Sequence, residues 1–282
     1  EKGSTVPANQ IEAIDIEIRN MGEPTTCEGK INVNEIDAFI KKALRIATPL
    51  EGVLTTTLTQ IYHRTKKTEP NCKSLMEFFE TQNSIAQRCH NCYKVQIEVN
   101  SLDELIILNF LMKTLRLKNN NTRKCMVELR KYAKGSYKGL IYCSEINEAE
   151  NVAEEASLDV SERSKIKPIL TVKRGCTEFT NAHKGYGEIG YLGNLHQGTQ
   201  QRKEWELNEK RFLRGKSELK TARTTGWEFN LGELLILKNW ILYAIAMEDA
   251  EAIAKYGNTN YDNRTISKVI ELKKLGTLKT IN

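Results

Sequence analysis

Cys89-His90-Asn91-Cys92 is the tightest cluster of reactive side chains in the 282-residue sequence. Two thiolates at this spacing hold one edge of a tetrahedral zinc site. The second edge needs another close pair, and Cys72, Cys125, Cys143 and His63 could supply it only through the fold. A redox Cys-x-x-Cys pair would need thioredoxin-like surroundings, which are absent. The expectation is therefore buried or half-buried free thiols, with no metal and no cofactor. His63, His90, His183 and His196 form no Ser/His/Asp or Cys/His set, so no enzymatic activity is expected.

Phosphate neutralisation is the second chemistry the residues offer. Residues 111–140 hold nine Lys/Arg against one acid, Glu128, and residues 163–184 hold six against Glu178. Between them, residues 144–162 carry seven acids and no base. Arg123, Lys124, Arg130, Lys131, Lys173, Arg174 and Lys184 are the bases expected to meet phosphates. Tyr186 and Tyr191 are the residues expected to stack on bases, with Tyr142 behind them. The function read from this is non-enzymatic nucleic-acid binding.

The tract Lys184-Gly185-Tyr186-Gly187-Glu188-Ile189-Gly190-Tyr191 resembles the basic-Gly-aromatic strand of RNA-recognition motifs, and Ile141-Tyr142-Cys143 resembles the start of its partner strand. The resemblance covers roughly residues 138–230 and implies a sheet whose aromatics stack on unpaired bases. It departs from the pattern at Glu188, where a stacking aromatic belongs, and at Glu145, where the partner strand has Asn. The same glycines spell Gly185-x-Gly187-x-x-Gly190, but Tyr191-Leu192-Gly193-Asn194 opens no dinucleotide-binding helix. Val269-Ile270-Glu271-Leu272-Lys273, nine residues after Asp262, has the spacing of a metal-dependent PD-(D/E)xK nuclease, provided 269–273 is a strand. Its apolar spacing predicts a helix instead. Residues 252–276 can also be read as helix-turn-helix, with an over-long turn. A third class, a structural subunit of an assembly such as a virus or phage particle, fits a helical Asn/Lys-rich chain and implies a homo-oligomer.

Composition narrows these readings. The net charge is +6, with 40% apolar and 28% charged residues, an ordinary globular balance. No run of 18 apolar residues exists, so no transmembrane helix and no membrane partner are expected. No signal peptide is visible at Glu1-Lys2-Gly3-Ser4. Seven scattered cysteines, an odd number, suggest a reducing, intracellular compartment, cytoplasmic or nuclear.

The elements that must position these groups suggest an α+β fold, predominantly helical, with a small mixed β-sheet in the middle of the chain. Three parts are expected: an N-terminal arm and helical region at 1–85, an α/β region at 86–198 and a helical region at 199–282. Strands are predicted at 93–99, 139–143 and 166–172. Helices are predicted from Asn32 or Asn34 to about 47, weakly over 50–63, and at 74–80, 101–117, 122–133, 145–158, 200–213, 231–247 and 265–275. Residues 93–173 thus read β-α-α-β-α-β. Ile11, Ile14, Ile16 and Ile18 fit either a strand or a helix.

Overall fold

Tyr93-Lys94-Val95-Gln96-Ile97-Glu98-Val99 alternates apolar and polar residues, which sends its side chains to opposite faces of a sheet. In the computed structural model this segment is an interior strand, β2, paired on both sides. The structure describes residues 7–24, 29–63, 72–183, 185–187, 199–214, 228–257, 267, 269–271 and 274–278. Five strands are described, β1 (Gln60–His63), β2 (Tyr93–Val99), β3 (Arg123–Val127), β4 (Tyr137–Cys143) and β5 (Ile169–Arg174). They lie in the order β1-β3-β4-β2-β5.

Every pairing in the sheet is antiparallel, so it is not the mixed sheet expected. Connectivity explains this. Helix α4 (Leu102–Thr114) joins β2 to β3, and α5 (Ile146–Arg163) joins β4 to β5. Each crossover skips one strand, so the parallel partners are never neighbours. The resulting β-α-β-β-α-β unit, residues 93–174, is a split β-α-β arrangement.

Both helices pack on one face. Val95, Ile97, Val99, Ile141, Cys125 and Val127 are buried there, and a Cβ on Gly139 would stand 2.6 Å from Met112 of α4. Glycine is required at 139 for that close approach. Ser101 caps α4 by accepting from Glu104 N at 3.2 Å, while the Glu104 carboxylate accepts from Asn100 N at 2.7 Å. Behind α4 lie α1 (Ala8–Arg19), α2 (Val33–Ile46) and α8 (Leu231–Ala246), followed by α9 (Ala250–Tyr256). Asn32 and Glu35 form a reciprocal capping box on α2. The main core runs from Ile14 to Leu278 and so draws on all three of the expected parts. Helices account for 55% of the structure. Among the described residues, no helix is long and apolar enough to cross a membrane.

Two segments differ from expectation. Residues 122–133, predicted helical, form β3 and a turn closed at Gly135, where φ is +74°. Pairing to both β1 and β4 outweighs local helix preference, since Arg123, Cys125 and Val127 alternate into the core. The weak helix over 50–63 is an extended path ending in β1. Side chains of α8 hold it there: Asn239 Nδ2 donates to Thr56 O and Leu58 O, and Trp240 Nε1 to Thr59 O, each at 2.9 Å. The N-terminal isoleucines form a helix, α1, with Ile14 and Ile18 buried.

A second, smaller cluster stands apart from the main core. It joins α3 (Cys72–Gln82), the turn Gln87–Asn91, α6 (Thr177–Ala182) and α7 (Thr199–Leu213) through Leu75, Phe78, Cys89, Phe179, Tyr186 and Trp205.

A candidate anion-binding face

The face of the sheet opposite α4 and α5 is the place where basic side chains converge. Lys94, Gln96 and Glu98 of β2 point there, as do Lys138, Leu140 and Tyr142 of β4 by register. Lys124 of β3 sits beside Tyr62 of β1, and Lys173 of β5 beside Lys94. Four lysines from four adjacent strands thus share one surface.

Their contacts divide the face into two ends. At one end charge is balanced. Lys138 Nζ donates to Glu128 Oε2 at 3.0 Å, and Arg130 forks onto both oxygens of the same carboxylate at 2.8 and 2.9 Å. Burial alone would raise the Glu128 pKa, but Arg130 and Lys138 outweigh it and bring it to about 2. Arg130 also reaches Glu178 at 2.6 Å. Arg130 follows β3 and Glu178 follows β5, so this ion pair spans the two central strands.

At the other end positive charge exceeds its partners. Lys124 Nζ lies 5.3 Å from the Tyr62 ring centroid and 5.7 Å from that of Tyr142, and donates to Gln60 Oε1 at 3.0 Å. Burial, then repulsion from Lys94, lowers its pKa to about 8. Lys173 donates to Gln96 Oε1 at 2.9 Å, and burial lowers its pKa too. Lys94 is 8% exposed and makes no salt bridge or hydrogen bond among the described residues. A nearly buried ammonium without a salt-bridge partner is costly; the attraction of Glu178 offsets part of that cost, and an anion entering here would offset more.

The bases and aromatics expected from the sequence are distributed differently. Lys124, Lys173 and Arg130 reach this face, and Lys131 is exposed beside it. Arg123 does not: it is 1% exposed on the helix-facing side, its Nη1 donating to Leu115 O. Arg174, 4% exposed, donates to Tyr93 OH at 2.9 Å and stacks on that ring. Both are corrections, because a base that alternation turns inward cannot meet a phosphate. Tyr186 is also corrected. It is 2% exposed in the smaller cluster, its hydroxyl donating to Cys89 O at 2.7 Å, and residues 185–187 form a turn rather than a strand. Lys184 and Tyr191 lie outside the described residues. Sequence reading missed Lys94, Lys138, Gln60, Tyr62 and Gln96. The alternation in 93–99 already placed Lys94 and Gln96 on one face, but not what that face would meet.

Tyr186 is locked by a glycine. Gly175 has φ +52°, and a Cβ there would fall 1.9 Å from the Tyr186 hydroxyl oxygen. Gly175→Ala is expected to destabilise the protein by about 2–3 kcal/mol, through left-handed strain and loss of a buried hydrogen bond. Urea unfolding measures it. Adding Tyr186→Phe should cost less in the Gly175→Ala background than alone; strict additivity would contradict the contact.

The cysteines are also rearranged relative to expectation. Cys125, Cys143 and His63 sit in or beside the main core, away from Cys89. Cys176, preceding α6, packs against the smaller cluster that contains Cys89. Among the described residues, no three His, Cys, Asp or Glu side chains are already set to hold a metal ion.

Compared with protein-family models, curated proteins and solved structures, the chain matches none.

Proposed function

We propose that the protein binds single-stranded nucleic acid on the face of its sheet opposite α4 and α5, with phosphates at Lys94, Lys124 and Lys173 and a base against Tyr62 or Tyr142. The observation that carries this reading is Lys124 seated between two tyrosine rings, beside the unpaired Lys94. Phosphate contacts supply affinity and stacking supplies roughly 1–3 kcal/mol per base. The topology supports it as well. RNA-recognition motifs also bind with the helix-free face of a four-stranded sheet, although here Lys94, Gln96, Glu98, Lys138 and Leu140 on that face are 3–9% exposed and Tyr142 is the one aromatic that β2 and β4 place there. In this reading Arg130 exchanges Glu178 for a phosphate.

The nuclease alternative loses its footing, since residues 269–271, including Glu271, are helical where a strand is required. Asp262 and Lys273 lie outside the described residues. The helix-turn-helix reading keeps its two helical ends, and its turn is likewise outside the described residues.

Fluorescence anisotropy with labelled single-stranded RNA and DNA at about 50 and 200 mM salt tests the proposal. Wild type should bind with steep salt dependence. Lys94→Ala/Lys124→Ala should weaken binding and flatten the log–log salt slope by about 1.4, two contacts at ~0.7 each. Glu178→Gln should strengthen binding. No binding at low salt sinks the proposal, and a large homo-oligomer by light scattering would then favour an assembly role.

A further inference from the structure

We propose a second site, independent of the sheet face: Cys72, Cys89, Cys92 and Cys176 take a zinc ion as four thiolate ligands. These residues come from three separate stretches of sequence, and the fold gathers them at one end of the smaller cluster.

The gathering rests on named contacts. Cys89 and Cys92 flank a tight turn in which Cys92 N donates to Cys89 O at 3.2 Å. Gly175 N donates to Cys92 O at 2.7 Å, which places Cys176 next to that turn. Tyr93, the neighbour of Cys92, pairs with Arg174 in the sheet. On the other side, α3 packs on the same cluster through Leu75 and Phe78, and its Phe79 ring lies 4.7 Å from Phe179 of α6. Cys72 opens α3 three residues before Leu75, which sets the two side by side on the helix surface, and it is exposed where Leu75 enters the cluster. None of the four is in a disulfide.

The electrostatics agree with this placement. Burial raises the Cys89 thiol first, and the negative charges that Cys92, Cys176 and Cys72 would carry raise it further. Cys92 is pushed up to about 12 by burial, then by Cys176 and Cys72. Binding is Zn²⁺ plus four thiols giving a tetrathiolate complex and four protons, with no change of oxidation state.

The metal would also meet a structural need. Eight buried residues make a small core, and they tie together segments about 100 positions apart. Small cores of this kind are commonly stapled by disulfides or metal. The ligands are not yet closed around a point, so zinc would draw the Sγ atoms in by rotamer changes to the usual ~2.3 Å.

The test uses the full chain, reduced and stripped of metal with a chelator. Titration with Co²⁺ should give sulfur-to-cobalt charge transfer and tetrahedral d–d bands saturating at one equivalent, displaced by Zn²⁺. Cys92→Ser and Cys176→Ser should each lower zinc affinity by more than the ~100-fold that loss of an outer-sphere partner causes. Alkylation mapped by mass spectrometry guards against variants that fail to fold. In wild type, zinc should protect Cys72, Cys89, Cys92 and Cys176 and leave the labelling of Cys125 and Cys143 unchanged. Absence of a thiolate–cobalt band, or protection unaltered by zinc, overturns the proposal. So does iron with labile sulfide in the purified protein.

Discussion

Lys113→Met is expected to destabilise the protein by about 3–5 kcal/mol, the cost of leaving one buried charge without its partner. Lys113 of α4 meets Glu233, in the first turn of α8, with Nζ and Oε2 2.6 Å apart and both side chains 2% exposed. The rings of Phe110 and Phe229 flank the ammonium at 5.6 and 5.7 Å. Burial raises the Glu233 pKa, and Lys113 opposes that rise. Glu233→Leu alone should cost a similar amount. The double variant Lys113→Met/Glu233→Leu should recover most of the loss, because two apolar side chains need no desolvation of charge. Urea denaturation of the four proteins decides it. If the double variant loses the sum of the single losses, the pair contributes through something other than mutual compensation.

The second large effect is on pH. His63 of β1 is 2% exposed and its Nε2 lies 2.8 Å from Asn109 Oδ1. Burial lowers its pKa to about 3; the Asn109 contact opposes this, while Lys113 and Arg123 add to it. The unfolded chain titrates this ring near 6.5. Above that pH both states are neutral and the contribution is fully present. As pH falls from 6.5 toward 3, the unfolded chain takes up a proton that the folded protein refuses, so stability declines. The full loss is on the order of 5 kcal/mol, and about 2 kcal/mol of it falls between pH 7 and pH 5. Glu128 and Glu148, both brought from the ordinary 4.5 to about 2 in the folded protein, lose their contributions as pH falls from about 4.5 toward 2. Asp103 and Glu233 are raised and act in the opposite sense. Comparison with His63→Gln cancels all four. Wild type should lose about 2 kcal/mol more than the variant between pH 7 and pH 5, and equal losses would refute the assignment.

Much of the framework was legible because it is written in short-range patterns. The alternation of Tyr93–Val99 set β2 residue for residue, and Asn32 and Ser101 marked the starts of α2 and α4. What local pattern cannot show is which partner a strand will find. β3 is five residues and β1 four, too short to outweigh the helix-like spacing around them, and both are strands because they pair with each other and β3 also pairs with β4. The same limit governed the charges. Lys113, Arg123 and Lys124 all stood in one basic block, yet they go to a buried ion pair, the core side of the sheet and its open side. For the cysteines, Cys89 and Cys92 were visible as a half-site. Cys176 joins them only because β5 lies beside β2.

The strand order carries a consequence for synthesis. β2 lies inside the sheet between β4 and β5, whose last residues are 143 and 174. At 5–20 residues per second, several seconds separate the appearance of β2 from that of its second partner. Until β3 and β4 are made, α4, buried on nearly every side in the finished protein, has no sheet to cover it, and α8 follows only after β5. β1, ending at His63, likewise waits for β3, which ends at Val127. Such a nascent chain exposes a greasy helix and two open ladders at once. Its slow step is the meeting of distant strands rather than helix formation. Its yield should therefore respond more to translation speed and holding chaperones than the thermodynamic stability of the final fold would indicate.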